Sequence, residues 1–308
     1  MGGVITVESE PGKGSVFSFT LGFQPASATE VPAPAPEKCD LNAIKGARVL
    51  LVEDHPINQQ IARVQLTHAG LLVTVASNGL EAVKLTLPGI KPFDLVLMDI
   101  QMPEMDGYEA TRLIRQQWSP EELPIIAMTA YALAKERRNC LDLGMNDHLA
   151  KPIDTAELHA ALCRWLKPRP ELSPALEANT EPVVAEDGFR NLPGIDIDDG
   201  LERLGGDQAL YWSLLRSFAG ENRQVVPQLH SLMNEGDLGG ARLVVHTLRG
   251  VAGNLGITEL AATAAELERA LVREESAAAR SLMADLEQRL ALVLAGVTHL
   301  EQLLPADN

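Results

Sequence analysis

One short apolar stretch constrains the fold of this chain more than any other feature. Leu95–Met98 is an uninterrupted apolar run that ends on Asp99, and Pro103 and Gly107 follow soon after. A run of this length between such neighbours is typical of a strand that is buried on both faces, as in a parallel sheet. Because ligands collect beyond the carboxyl ends of parallel strands, Asp99 is well placed for chemistry. The simpler alternative is an aspartate that only caps a turn.

Three further apolar runs also end on polar side chains. The groups that follow these runs are Glu53 with Asp54, then Thr129, then Lys151. Helical patterns separate the runs, so a parallel sheet would bring all these groups and Asp99 to one edge. Three carboxylates at one edge favour a hard divalent cation, most simply Mg²⁺. The cation and the lysine together suit a phosphoryl group, whose charge must be neutralised during transfer, and an aspartate can attack phosphorus to form an acyl phosphate.

The segments VEDHPIN, LMDIQMPEMDG, MTA and KPI occur in this order, and they resemble the conserved motifs of response-regulator receiver domains. The resemblance covers residues 46–168 and implies a flavodoxin-like α/β domain, doubly wound around a five-stranded parallel sheet. It implies that Asp99 is the phosphoacceptor and that Thr129 and Lys151 hold phosphoryl oxygens. His148 stands where the family usually has Tyr or Phe. The Mg²⁺ ligands that the resemblance implies are Glu53 (largely through water), Asp54, Asp99 and the backbone carbonyl of Gln101.

Residues 1–23 alternate apolar and polar side chains around the segment EPGKGS, which predicts a β-hairpin. A lone hairpin is marginal in water. GGVITVESEPGKGSVFSFTL resembles the last hairpin of the ATP-binding domain of sensor histidine kinases, which implies that residues 1–23 are a remnant of that domain. The other nucleotide-binding motifs and the dimerisation helix with its histidine do not occur in the sequence. We therefore expect a C-terminal fragment, or a shortened gene product, of a hybrid histidine kinase, without autokinase activity of its own.

Two stretches predict linkers between domains. Residues 24–45 are rich in Pro and Ala, and residues 169–189 are rich in Pro, Glu and Ala. Proline favours extended, semi-rigid backbone, and neither stretch has a clear apolar period. The sequence thus predicts a chain of several domains, with its receiver domain between the two linkers.

Residues 190–305 are wholly helical in pattern, and their short loops predict an all-α bundle of antiparallel helices. One of these helices, Leu238–Asn254, contains the most informative residue. His246 lies about 160–200° around the helix from its apolar stripe, so we expect His246 to be exposed, with Arg249 one turn further on. An imidazole can attack phosphorus and a guanidinium can steady the phosphoryl charge, although an ordinary surface histidine is the alternative. The stripe consists of Val244, Leu248, Val251 and Leu255.

The segment ARLVVHTLRGVAGNLG resembles the active helix of histidine phosphotransfer (HPt) domains, whose pattern is His-x-x-Lys-Gly. The resemblance covers residues 190–305 and implies that His246 is a second phosphoacceptor, with Arg249 in place of the commoner Lys. Gly250 and Gly253 lie on the same face as His246. Because glycine inside a helix costs about 1 kcal/mol relative to alanine, these two glycines predict close approach by a partner.

Composition excludes several classes of protein. A net charge of −16 over 308 residues disfavours non-specific binding to nucleic acid. The three cysteines have no paired spacing, which disfavours a disulfide framework and a zinc site and fits a reducing cytoplasm. No apolar run approaches the roughly 20 residues of a membrane-spanning helix. We expect this segment to be cytoplasmic, with any inner-membrane anchor of the parent protein in regions that precede it.

These features lead to one main hypothesis and one alternative. The main hypothesis is a Mg²⁺-dependent phosphorelay: a phosphoryl group passes from an upstream kinase histidine to Asp99, then to His246, then to the receiver domain of a separate response regulator. The alternative is a regulatory module, in which phosphorylation of Asp99 shifts Thr129 and changes a binding face, or in which the HPt domain drains phosphate from a regulator.

Overall fold

A computed structural model describes residues 5–10, 14–19, 40–87, 93–129, 134–168 and 192–303. The first two stretches form an antiparallel hairpin of β1 (Ile5–Glu10) and β2 (Gly14–Phe19), in which Ile5 lies opposite Phe19. The hairpin predicted from the alternating pattern is therefore confirmed, while the turn at residues 11–13 lies outside the described residues. Its origin in an ATP-binding domain stays a prediction.

The second part of the chain begins with a five-stranded parallel sheet in the order β4-β3-β5-β6-β7. Helices alternate with its strands, so the predicted doubly wound α/β domain is confirmed. The elements, in chain order, are β3 (Arg48–Val52), α1 (Pro56–His68), β4 (Leu72–Ala76), α2 (Gly79–Leu85), β5 (Leu95–Asp99), α3 (Gly107–Arg115), β6 (Ile125–Thr129), α4 (Ala134–Asp142), β7 (Asp147–Ala150) and α5 (Thr155–Trp165).

Both faces of this sheet are covered by apolar side chains. Val49 and Leu51 of β3 pack in one cluster with residues of α1 and α5, whereas Leu50 and Val52 pack in a second cluster with residues of α2 and α3. Successive side chains of a strand point to opposite faces, so a strand between two layers of helices must be apolar at every position. The strands are therefore apolar without interruption, and polar groups follow where each strand reaches the edge of the sheet.

The predicted end of the first linker needs correction. The predicted linker 24–45 ends too late, because Leu41–Ile44 form a 3₁₀ helix and Ile44 is buried in the core of the sheet domain. Residues 24–39 and the linker predicted at 169–189 lie outside the described residues.

Cys163 of α5 is disulfide-bonded, contrary to the expectation from the scattered cysteines, because spacing along the chain does not reveal which cysteines meet in space.

The remaining described residues, 192–303, form a bundle of helices, as predicted. Aspartate side chains start three of them: the carboxylates of Asp196, Asp207 and Asp237 accept hydrogen bonds from backbone N–H groups three residues on. The bundle encloses a large apolar cluster, which includes Tyr211 and Phe218. Its helices are α6 (Ile197–Arg203), α7 (Gln208–Glu221), α8 (Val225–Glu235), α9 (Leu238–Asn254), α10 (Thr258–Val272) and α11 (Ser276–Leu303).

The sheet domain and the bundle share an apolar cluster. Ile57 and Ile61 of α1 belong to the same buried cluster as the core of the bundle. Helix α1 follows β3 directly, so this packing brings the bundle close to the carboxyl ends of the strands. Among the helices that the structure describes, none is both long and apolar enough to cross a membrane.

Candidate functional site

Three carboxylates lie together at the carboxyl edge of the parallel sheet. Glu53 and Asp54 follow β3, and Asp99 is the last residue of the neighbouring β5. One carboxylate oxygen from each of the three residues lies within 4.8 Å of the other two. Glu53 and Asp99 are buried and Asp54 is half-buried. This arrangement confirms the predicted proximity of the acidic residues.

Lys151 and Thr129 also lie at the carboxyl edge of the sheet, as predicted. The Nζ atom of Lys151 lies 2.5 Å from Oε2 of Glu53 and 2.6 Å from Oδ2 of Asp99. Thr129 ends β6, which pairs with β5, and its side chain is buried. The backbone N–H of Gln101 donates to Oδ1 of Asp99 at 3.3 Å. The structure therefore brings together the residues that the sequence suggested, while their chemical roles stay predictions at this point.

Burial and charge act in opposite directions on these groups. Burial raises the pKa of Asp99 to about 7, although the Lys151 ammonium opposes this rise. Burial would also raise the pKa of Glu53, but the adjacent ammonium lowers it below the usual value. The pKa of Asp54 is raised by burial and by the negative charge of Glu53. One ammonium thus compensates three carboxylates only in part, so the site favours a further positive charge.

A second polar cluster surrounds His246 in α9. Its Nδ1 atom lies 3.1 Å from Oε1 of Glu268 in α10, and Nη1 of Arg249 donates to Oε2 of the same carboxylate at 3.0 Å. Glu268 is fully buried, so its charge depends on these partners. An ionised carboxylate only accepts hydrogen bonds, which assigns the proton of the neutral imidazole to Nδ1 and the lone pair to Nε2.

The prediction that His246 is exposed was wrong, since its residue is only 7% exposed. The predicted face is nevertheless right: Gly250 and Gly253 lie on the same side of α9, and each lies against the domain of the parallel sheet. A Cβ atom at Gly253 would lie 3.3 Å from Pro152, and one at Gly250 would lie 3.5 Å from Nδ2 of Asn58. The face of α9 opposite the bundle core is therefore covered at these positions by the sheet domain instead of water.

The two clusters meet across this contact. Nδ2 of Asn58 donates to Oε1 of Glu53 at 2.9 Å, and Nδ2 of Asn254 donates to Oδ1 of Asn58 at 2.9 Å. An unbroken series of hydrogen bonds thus joins the acidic cluster to the helix that carries His246.

Sequence reasoning missed Glu268, Asn58 and Asn254. Glu268 did leave a signal, because it occupies a position on the apolar side of α10 next to Leu267, where a charged residue needs a partner. The two asparagines left none, because their contact joins residues 196 positions apart. A polar residue at the end of α9 or in the first turns of α1 is common on protein surfaces.

Comparisons with known proteins agree with the geometry. The profile of the response regulator receiver domain family matches residues 49–163, and that of the Hpt domain family matches residues 213–302. The aerobic respiration control sensor protein ArcB of Escherichia coli (strain K12) is 34% identical over 264 residues, which are 84% of this chain and 32% of ArcB. The sensor protein GacS of Pseudomonas syringae pv. syringae is 38% identical over 181 residues, which are 54% of this chain and 20% of GacS.

A solved structure also aligns with the first of these domains. It is the receiver domain of the sensor histidine kinase PA1611 from Pseudomonas aeruginosa PAO1, crystallised with a magnesium ion in its active-site cleft. It is 47% identical, covers 39% of this chain and 97% of its own, and has a TM-score of 0.36.

The chain spans about a third of the length of ArcB and less of GacS. Both family matches lie within the predicted ranges 46–168 and 190–305, whose exact boundaries stay predictions. Residues 49–163 are a response regulator receiver domain and residues 213–302 are an Hpt domain, so the chain corresponds to the receiver–Hpt part of a hybrid sensor kinase, a class that acts in two-component phosphorelay signalling.

Proposed function

We propose that this chain carries a phosphoryl group between Asp99 and His246. The observation that supports this most directly is the series of hydrogen bonds from Glu53 through Asn58 to Asn254, which joins the acidic cluster to the helix that carries His246. The phosphoryl group arrives at Asp99 from a histidine of a kinase core and leaves His246 for an aspartate of a separate response regulator. A kinase core and a receiver domain are thus the two classes of partner.

In the first step, a carboxylate oxygen of Asp99 attacks the phosphorus of a phosphohistidine. An O–P bond forms, the N–P bond breaks, and the donor imidazole leaves with the electron pair. The Lys151 ammonium, which lies 2.6 Å from the attacking carboxylate, balances the charge of the phosphoryl oxygens, and the hydroxyl of Thr129 donates to one of them. Positioning and charge compensation dominate such a transfer.

In the second step, the Nε2 lone pair of His246 attacks the phosphorus of the acyl phosphate. The N–P bond forms, the O–P bond breaks, and the carboxylate of Asp99 is restored. The Nδ1–H group stays hydrogen-bonded to Glu268 throughout, so the imidazole gains positive charge beside a buried carboxylate. Arg249 donates to the other oxygen of that carboxylate, so a guanidinium also lies beside its negative charge.

The acidic cluster fits Mg²⁺, because its donors are hard oxygen atoms within reach of one another. Glu53, Asp54 and Asp99 would hold the ion together with the carbonyl of Gln101. When bound, Mg²⁺ would supply positive charge to the phosphoryl oxygens. Without it, Lys151 compensates Glu53 and Asp99 alone.

Labelling of the purified chain tests the proposal. With acetyl phosphate and Mg²⁺, we expect the wild-type chain to gain a base-labile label at Asp99 first and a base-stable phosphohistidine at His246 afterwards. Asp99→Asn should abolish both labels, whereas His246→Gln should retain the first alone. Asp142→Asn and His230→Gln are matched controls, because Asp142 and His230 are exposed.

Two outcomes would contradict the proposal. One is phosphohistidine in the Asp99→Asn chain, and the other is onward transfer to a regulator from the His246→Gln chain. Label that enters His246 from a phosphorylated regulator, and reaches Asp99 only afterwards, would favour the phosphate drain instead.

A further inference from the structure

The surface of the Hpt domain that surrounds His246 is shaped to receive the receiver domain of the same chain. Gly250 and Gly253 lie one and two turns after His246 on one face of α9. The space that a side chain would take at each glycine faces Asn58 or Pro152. Pro152 directly follows Lys151, so α9 lies against the segment that carries the ammonium of the active site.

Polar contacts at the rim hold the same arrangement. Nη1 of Arg203 in α6 donates to the backbone carbonyl of Ile153 at 3.0 Å. Nε2 of His55, the residue before α1, lies 3.4 Å from Oε2 of Glu221 in α7. Three helices of the Hpt domain thus contact the receiver around His246, which explains the low exposure of its ring.

The contact between Asn58 and Asn254 is the most specific of these interactions. The amide of Asn58 has a defined orientation, since its Nδ2 donates to the carboxylate of Glu53 and its Oδ1 must therefore face Nδ2 of Asn254. Both asparagines are buried. A receiver without a matching acceptor at this position would leave the buried amide of Asn254 without its hydrogen bond, which is costly.

We propose that the contact between Asn58 and Asn254 selects the chain's own receiver for the Hpt domain, and that a separate receiver reaches His246 only when this contact opens. The inference rests on the proposed function of His246. Because Glu268 occupies Nδ1, every phosphoryl transfer uses Nε2, and two receivers cannot occupy the face around that nitrogen at once. Docking in the chain and docking of the regulator are therefore mutually exclusive.

Transfer between two copies of the chain tests this selection without an identified regulator. The donor is the His246→Gln chain labelled at Asp99 by acetyl phosphate and freed of excess reagent. The acceptors carry Asp99→Asn, so their own receivers cannot be phosphorylated but still cover His246. Adding Asn58→Ala to the acceptor removes its internal contact and the hydrogen bond to its own Glu53, but the acceptor's receiver takes no part in the transfer. Adding Asn254→Ala also removes the group that the donor receiver needs.

We expect Asn58→Ala in the acceptor to speed labelling of His246 about tenfold, the effect of a lost buried hydrogen bond. Asn254→Ala should give a rate within about twofold of the unmodified acceptor, because its two effects oppose each other. Arg63→Ala, on the exposed side of α1, should change nothing. Equal acceleration by Asn58→Ala and Asn254→Ala, or none by Asn58→Ala, would overturn the proposal. Asn58→Ser, which keeps a hydroxyl near Glu53, replaces the alanine variant if that variant does not fold.

Chemical modification separates this proposal from the proposed function. Diethyl pyrocarbonate reacts with accessible imidazoles whether or not they accept phosphate. In the otherwise wild-type chain, Asn58→Ala should speed the modification of His246 about tenfold, while the exposed His230 serves as an internal standard. Faster modification without any phosphohistidine would refute the relay and support the docking contact. An unchanged modification rate would refute the docking contact.

Discussion

Replacement of Glu268 by glutamine tests how the buried carboxylate serves His246. The change keeps the shape of the side chain and an oxygen that can accept from Nδ1, but it removes the negative charge. Glu268 has no exposed surface and accepts from Nδ1 of His246 at 3.1 Å and from Arg249 at 3.0 Å. The orientation of the imidazole should therefore survive, while its charge compensation is lost.

The size of the effect follows from these two contacts. A hydrogen bond to a charged group contributes about 1.5–3 kcal/mol, and a neutral one contributes about 0.5–1.5 kcal/mol. The positive charge that develops on His246 during transfer should therefore lose about 1–1.5 kcal/mol of stabilisation. We expect the rate of transfer from Asp99 to His246 to fall roughly tenfold. The free energy of unfolding should also fall by about 1–2 kcal/mol, because the half-buried Arg249 loses a charged partner.

The assay is the time course of phosphohistidine formation after Asp99 has been labelled with acetyl phosphate. Glu266→Gln is the matched control, since Glu266 lies on the same helix with its side chain 58% exposed and forms a surface pair with Arg269 at 4.0 Å. The reasoning would be refuted if Glu268→Gln transferred at the wild-type rate, or if Glu266→Gln caused the same loss.

Three further outcomes are expected. Lys151→Ala should lower the free energy of unfolding by about 3 kcal/mol in urea titrations with EDTA, because Glu53 and Asp99 lose their buried cation, and Mg²⁺ should restore part of this loss. Arg115→Ala should lower the free energy of unfolding by about 2–4 kcal/mol, because the guanidinium of Arg115 donates to three backbone carbonyls and a side-chain oxygen. Labelling of Asp99 in the folded variant should persist. Arg112 is exposed, so Arg112→Ala should change the free energy of unfolding by less than about 0.5 kcal/mol. EDTA added before acetyl phosphate should prevent labelling of Asp99, whereas EDTA added after transfer should leave phosphohistidine intact.

Much of the receiver fold and site is local in origin, which is why the sequence predicted it. Each apolar run has to lie between two layers of helices, and each run ends in the residue that reaches the edge of the sheet. Because the carboxyl ends of parallel strands meet at one edge of the sheet, groups as distant in sequence as Glu53 and Lys151 are expected to lie together. Helix starts are equally local, since the carboxylates of Asp154, Asp207 and Asp237 each accept a hydrogen bond from a backbone N–H group three residues further on.

Contacts between distant segments were beyond the reach of such reasoning. The 3₁₀ helix Leu41–Ile44 is stabilised by burial of Ile44 in a core that later segments form. Because this stabilisation comes from elsewhere in the chain, the local sequence could not be distinguished from a linker. Glu268 lies on α10 and its partners lie on α9. Helical periodicity places such a residue on a face, but it does not identify the side chain that meets it.

The burial of His246 has the same origin and also bears on mechanism. The period of apolar residues along a helix identifies the face that packs on the core of its own domain. The other faces are exposed only where no second domain covers them. Here the receiver domain covers one, and this domain also carries Asp99. Low exposure is therefore compatible with the proposed transfer from Asp99, in which the covering domain would be the donor, and exclusion of water would protect an acyl phosphate from hydrolysis. The same cover blocks a second receiver, so a relay through His246 requires the two domains of this chain to separate between its two transfers.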